Sequence, residues 1–334
     1  MFLIVVSHYI YHGLKTNPMH EAYDVTTTLG GANYLTLEPV WVISCVAVNC
    51  YVMITGYFLI SSKSMRWNGI LRTWVQVLFY SLFFLLCAVV MEIPVSRGDV
   101  LTSILPIYGR EYWFVTDYIG LLCIAPFLSI MATEITQKQY KILLIMMFVL
   151  CFQFLYGNVY AGFDSLIWFS FLYLVAGYLR LYGVPQVWAK NSGKCLVIIW
   201  ATLVVIATMM NLIKEPVFRL ISSAYDGPIF FLSLALFVFF LNRSFNNRFC
   251  SLVVKIAPYT FGVYLIHENL FVSRQLWILV IPYEYDMPII IHCILICMTI
   301  FAFCSIIDVV RAKLFSLLKI DDAVSYISGK LPRL

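Results

Sequence analysis

The side chains best equipped for chemistry in this sequence are ionisable groups set inside apolar runs. A charged residue at the centre of a membrane-spanning helix costs ~2.5–3.5 kcal/mol on insertion scales, so each one kept there is a candidate for function. By that filter the candidates are His8 in FLIVVSHYIYH, the consecutive pair His267 and Glu268 in YLIHENLF, Asp117 a turn inside WFVTDY, and His292 near the start of the last long apolar stretch. Arg274 follows Glu268 by one to two turns, with a stem long enough to reach an interface.

Each candidate has a structural and a chemical reading. His8 can be satisfied by a hydrogen bond between helices. Alternatively, desolvation can keep it neutral and available as a general base. His12 lies four residues on, along the same helical face, which raises a metal pair. Two imidazoles with no carboxylate or cysteine close in sequence are too few donors, so no metal is expected. His267 and Glu268 are neighbours, about 100° apart around a helix, and are expected not to serve one site through one face. Either can simply bridge helices. Lys63, Arg66 and Arg72 cluster between two apolar runs. They read as a topology signal or as an anion site suited to phosphates. The ten cysteines include no CxxC pair, which argues against a disulfide framework or a zinc site. Cys293 and Cys297, four apart, read as small apolar packing groups.

These groups must be positioned by helices in a bilayer. With 62% hydrophobic and only 12% charged residues over 334 positions, the chain has too little charge to cover a soluble surface. A span needs about 20 apolar residues. Spans are predicted near 40–60, 73–93, 113–132, 142–157, 166–182, 195–213, 228–241, 256–281 and 288–310, nine in all. The fragment 1–12 is too short to cross and lacks the basic leader and cleavage site of a signal peptide. The first helix is therefore expected to begin upstream of Met1. Sixteen of the 22 Lys and Arg residues fall in alternate loops and the tail, which predicts about ten crossings with both termini cytoplasmic. The expected fold is all-α: one polytopic transmembrane bundle over residues 1–334, its first span truncated. Tyr112, Trp113 and Phe114 read as part of an aromatic belt. The net charge of +5 is scattered, so no nucleic-acid partner is expected. No internal repeat is evident, which counts mildly against a carrier.

Several segments together resemble the acyltransferase-3 family of integral membrane acyltransferases. FLIVVSHY resembles the family's first helix, ending on His8. ITGYFLISS is similar to its second-helix pattern, with Thr55 before Gly56 in place of serine, and the basic stretch with Lys63, Arg66 and Arg72 follows. YWFVTDYIGLLCIAPFLS resembles the helix that begins Trp-Phe, here Trp113 and Phe114, with a later proline, Pro126. The most specific match is YTFGVYLIHENLF, with Tyr264 and His267. Two departures stand out. The family's arginine eleven residues before the first-helix histidine would fall upstream of Met1. Its Arg-x-x-Arg is incomplete, since Gly69 and Val75 flank Arg72 at the three-residue offsets.

The resemblance implies transfer of an acyl group, commonly acetyl, from cytoplasmic acyl-CoA to a hydroxyl of a surface polysaccharide or other glycan. It implies acetyl-CoA as donor substrate, a glycan or lipid-linked glycan as acceptor, membrane lipid as surroundings and a bacterial cytoplasmic membrane as location. His8 would be the base. His267 and Glu268 would support it or take part, and Lys63, Arg66 and Arg72 would hold the CoA phosphates. Direct transfer and an acyl-histidine intermediate are both open. The rival readings are a transporter or flippase for a lipid-linked glycan, and an inactive homologue.

Overall fold

In hydrocarbon every backbone N–H and C=O must be satisfied within the protein, which leaves a chain of this composition little choice but helices. The computed structural model describes residues 1–15, 27–151, 165–213, 227–245, 247–280 and 287–332. Among them there is no strand. In chain order the helices are α1 (Phe2–His8), running directly into a π-helical segment (Tyr9–Lys15), α2 (Thr28–Ser44), α3 (Val46–Leu59), α4 (Trp67–Val90), α5 (Arg97–Ile104), α6 (Trp113–Glu134), α7 (Gln137–Cys151), α8 (Ser165–Tyr182), α9 (Gln186–Ile213), α10 (Gly227–Leu241), α11 (Asn247–Ile256), a 3-10 turn (Ala257–Tyr259), α12 (Thr260–His267), α13 (Leu270–Val280), α14 (Ile289–Leu317) and α15 (Ile320–Lys330).

Six described helices are long and apolar enough to cross a bilayer: Gly30–Leu59, Trp67–Val90, Trp113–Glu134, Gln186–Met209, Cys250–His267 and Ile289–Leu317. Four shorter apolar helices, Phe2–Leu14, Leu166–Tyr182, Gly227–Leu241 and Leu270–Val280, accompany them. The chain is thus a multi-pass helical membrane protein. The span expected at 256–281 is not one helix. It ends at His267 and restarts at Leu270. The span expected at 142–157 starts earlier, at Gln137, and its part beyond Cys151 lies outside the described residues.

Two compact units divide the chain. The second comprises His20–Ser64 and Cys123–Ser244. In it α3 packs along α8, and α10 along α9 and α3. Gly56 of the ITGYF motif faces the backbone of Tyr173, so closely that an added Cβ would lie 2.7 Å from the Tyr173 Cα. Small residues that let backbones approach are the usual means of helix association in lipid. Polar contacts reinforce the packing: Asn49 donates to Ser233 Oγ at 3.1 Å and accepts from Trp168 Nε1 at 3.0 Å.

The first unit comprises Met1–Met19, Met65–Leu122 and Phe245–Leu334. There α12 packs against α14, α4 and α1. At its N-terminal end α12 is fixed by a buried ion pair on α14. Asp308, with no exposed surface, receives Arg311 Nε at 3.0 Å and Nη2 at 2.8 Å. Tyr80 Oη donates to it at 2.7 Å and Gln76 Nε2 at 3.0 Å, both from α4. Gly262 of α12 lies directly against the Asp308 carboxylate, leaving no room for a side chain. Removing one partner of a buried pair leaves the other uncompensated, at about 3–5 kcal/mol. Asp308→Ala is therefore expected to destabilise the protein by that order, read as a lower midpoint of thermal unfolding in detergent. A midpoint unchanged from wild type would show that Asp308 does not hold α12.

Candidate active site

The π-helical segment is the first local irregularity that shapes the site. π-turns are rare and are frequent at functional sites. Their wider turn brings residues four apart nearly into line, and the rings of His8 and His12 meet edge to face at 5.2 Å between centroids. The second irregularity is the break after α12. Glu268, at the C-terminal cap, closes the helix through its N–H on the Tyr264 carbonyl at 3.1 Å. Asn269 then opens α13: its Oδ1 accepts from Phe271 N–H at 3.1 Å and its carbonyl from Ser273 N–H at 2.8 Å. Asparagine competes in this way with a continuing helix.

The break brings three sequence candidates together. His8 Nδ1 lies 2.9 Å from His267 Nε2 and is in contact with Glu268 Oε2. His12 Nε2 lies 3.2 Å from Glu268 Oε1. His267 and Glu268 do diverge, as expected of neighbours on a helix, and share no face; one site still uses both, because His8 sits in the angle between them and touches each. The ground for expecting no metal also changes, because the carboxylate that the His8/His12 pair lacks nearby in sequence is supplied by Glu268.

The hydrogen-bond pattern assigns the protons. His267 is buried, 1% exposed, and its Nδ1 lies 2.5 Å from the Val263 carbonyl. A carbonyl can only accept, so with neutral rings the proton of His267 is on Nδ1 and its Nε2 presents a lone pair. His8 must then donate from Nδ1, beside the Glu268 carboxylate. Its Nε2 is left as the basic nitrogen, and among the described residues no hydrogen bond reaches it. A carboxylate beside one imidazole nitrogen and a lone pair on the other is the arrangement that orients a histidine base and stabilises its protonated form. The rings of Tyr264 and Trp277 wall the cluster, with centroids 6.3 Å from His8 and 6.3 Å from His267 respectively.

A buried network braces the break. Asn269 Nδ2 donates to Glu111 Oε1 at 2.7 Å and to Tyr112 Oη at 3.0 Å, while Tyr112 Oη donates to the Leu265 carbonyl at 3.0 Å. Ser81 Oγ of α4 donates to the other oxygen of Glu111. Burial pushes the Glu111 carboxyl above the usual carboxylate range. Sequence reasoning missed Asn269, Glu111 and Asp308. The available signals were Asn269 two places beyond His267 in an apolar run and the Asp308-x-x-Arg311 spacing on α14.

The remaining candidates are engaged elsewhere. Asp117 pairs with Arg110 at 3.1 Å, and Arg274 with Asp99 at 3.4 Å. His292 Nδ1 is hydrogen-bonded to Tyr9 Oη at 2.7 Å. Of the basic residues, Lys63 belongs to the second unit and pairs with Glu134 at 3.1 Å. Arg66 caps the start of α4 in the first unit and is exposed. Arg72, also exposed, lies 3.6 Å from Asp321 of α15. Such exposed pairs are weak and open readily to another anion. The cysteines expected to pack as small hydrophobes, Cys293 and Cys297, are both buried on α14.

Compared with known proteins, the chain matches the family model described as an acyltransferase domain over residues 1–308. No curated protein and no solved structure matches it.

Proposed function

The chain belongs to the acyltransferase-3 family, and from that premise we propose that it transfers an acetyl group from cytoplasmic acetyl-CoA to a hydroxyl of a cell-surface glycan or lipid-linked glycan, in a bacterial cytoplasmic membrane. The observation that carries this reading is the placement of His8: its Nδ1 meets His267 Nε2 beside the Glu268 carboxylate, and the tautomer assigned from these contacts leaves the lone pair on Nε2. Transfer from a thioester to an alcohol needs such a base near neutral pH.

In the proposed step the acceptor hydroxyl gives its proton to His8 Nε2 as its oxygen bonds to the thioester carbonyl carbon. The tetrahedral intermediate collapses with cleavage of the carbon–sulfur bond, and the proton on Nε2 passes to the departing CoA sulfur. Glu268 stabilises the transient imidazolium. The developing oxyanion requires a donor. Trp277 Nε1 is buried with no hydrogen-bond partner among the described residues, on a ring that packs against His12 and His267, and it is suited to that role. Arg66 and Arg72, both exposed in the first unit, are the proposed contacts for the CoA phosphates, which would displace Asp321 from Arg72.

Thiol release tests the proposal. Detergent-purified protein given acetyl-CoA and a panel of glycan acceptors is expected to release free thiol and to form acetylated glycan. Folded protein that releases none would favour a carrier for a lipid-linked glycan, which need not bind CoA at all.

A further inference from the structure

We propose that the same cluster is a binding site for a zinc-type divalent cation, formed by His8 Nδ1, His267 Nε2, a Glu268 carboxylate oxygen and His12 Nε2, and that the metal switches the base off. The inhibitory consequence rests on the reading of His8 as base. The binding does not.

The donors are the first observation. One ligand atom each from His8, His267 and Glu268 lies within 4.8 Å of the others, and His12 Nε2 reaches the second Glu268 oxygen at 3.2 Å. Imidazole nitrogens with one carboxylate are a set that zinc takes in tetrahedral geometry, with bonds near 2.0–2.2 Å and hence ligand atoms roughly 3.3 Å apart. The His8, His267 and Glu268 atoms lie close to that spacing already, and His12, whose Nε2 meets the second carboxylate oxygen, is the nearest histidine to complete the set as fourth ligand. The donors come from two elements fixed on each side of the site, the α1/π junction and the α12/α13 break, so they are held together before any ion arrives.

The second observation is the support behind a ligand. His267 turns its Nδ1–H onto the Val263 carbonyl, leaving Nε2 aimed at the cluster. Metal-bound histidines characteristically carry this backbone partner on the far nitrogen, which fixes the tautomer and the ring. Access is the third. Within the cluster His267 is buried, but the side chains of His12, His8 and Glu268 are 32%, 17% and 15% exposed, so an ion can enter from the His12 side.

The consequence follows from the valence of imidazole. A metal on His8 Nδ1 occupies the lone pair there, and a neutral ring must then carry its proton on Nε2. The nitrogen required to accept the hydroxyl proton has none to spare, and Glu268 is diverted from its orienting contact to the metal. Bound zinc and a competent base are thus mutually exclusive states of one histidine.

The test uses the full chain in detergent with the metal alone as probe. Co²⁺ is expected to bind once per chain, giving the visible absorption of a tetrahedral nitrogen/oxygen site, and to be displaced by Zn²⁺. Glu268→Gln and His267→Gln, each checked for unchanged helical circular dichroism and a monodisperse elution profile, are expected to weaken Zn²⁺ binding at least tenfold by calorimetry. Absence of stoichiometric binding, or an affinity unchanged in both variants, would overturn the site. Saturating Zn²⁺ is expected to stop thiol release, with recovery on chelation. Full activity with the metal bound would overturn the switch. Protein that binds zinc in this way but transfers no acyl group under any condition would sink the acyltransferase reading and leave the site standing.

Discussion

His8→Asn is expected to lower acetyl transfer by about 10²–10⁴-fold, the usual contribution of a positioned general base. Asparagine is the informative replacement because its amide nitrogen can take the place of Nδ1. It can donate to His267 Nε2, which His8 meets at 2.9 Å, and stay beside Glu268. It has no counterpart of Nε2. Alanine would instead remove one partner of the Glu268 carboxylate and leave the buried lone pair of His267 without its donor, and a loss of activity could then reflect loss of structure. The measurement is thiol release together with acetylated product, alongside the thermal midpoint of each variant. A folded His8→Asn protein with undiminished turnover would remove His8 from the chemistry.

The sequence disclosed the membrane class and the first histidine because both are local properties. Hydropathy identifies apolar helices, and a histidine among Leu, Ile and Val is conspicuous. What it could not disclose depends on a helix end and on distant pairings. The divergence of His267 and Glu268 was legible, but the run 256–281 reads by composition as one continuous helix. It is interrupted because Asn269 spends its side-chain oxygen on Phe271 N–H and its amide on Glu111 and Tyr112. That competition is visible only once Glu111 is known to face it from 158 residues away. The same holds for the carboxylate absent from the neighbourhood of His8 and His12, since Glu268 arrives from the far end of the chain. Asp308 escaped for a different reason. The apolar run was expected to end at 310, which makes a carboxylate at 308 look terminal, whereas α14 continues to Leu317 and places Asp308 in the interior with Arg311 one turn on. The basic trio was legible as a cluster in sequence, but its ion pairs with Glu134 and Asp321 were not.

Glu268→Gln is expected to cost about 10²-fold or more in kcat while leaving KM for acetyl-CoA nearly unchanged. Glu268 is assigned no contact with substrate. It acts through His8, so its loss should fall on the step in which charge develops on the ring. Two effects combine. The amide is neutral and cannot stabilise the imidazolium. If its NH₂ faces His8 Nδ1, it also favours the tautomer with the proton on Nε2, which cannot accept another. The amide oxygen can still accept from His12 Nε2, which lies 3.2 Å from Glu268 Oε1, so the fold has a means of tolerating the change. A purely structural glutamate would give a different pattern: a lowered thermal midpoint with kcat recovered in whatever fraction stays folded. The double variant separates the two further. If Glu268 works only by orienting and stabilising His8, adding Glu268→Gln to His8→Asn should slow transfer no more than His8→Asn alone, because residues acting as one unit are not additive. Multiplying losses in the double variant would mean that Glu268 acts on the substrate by itself, and the base would then have to be reassigned.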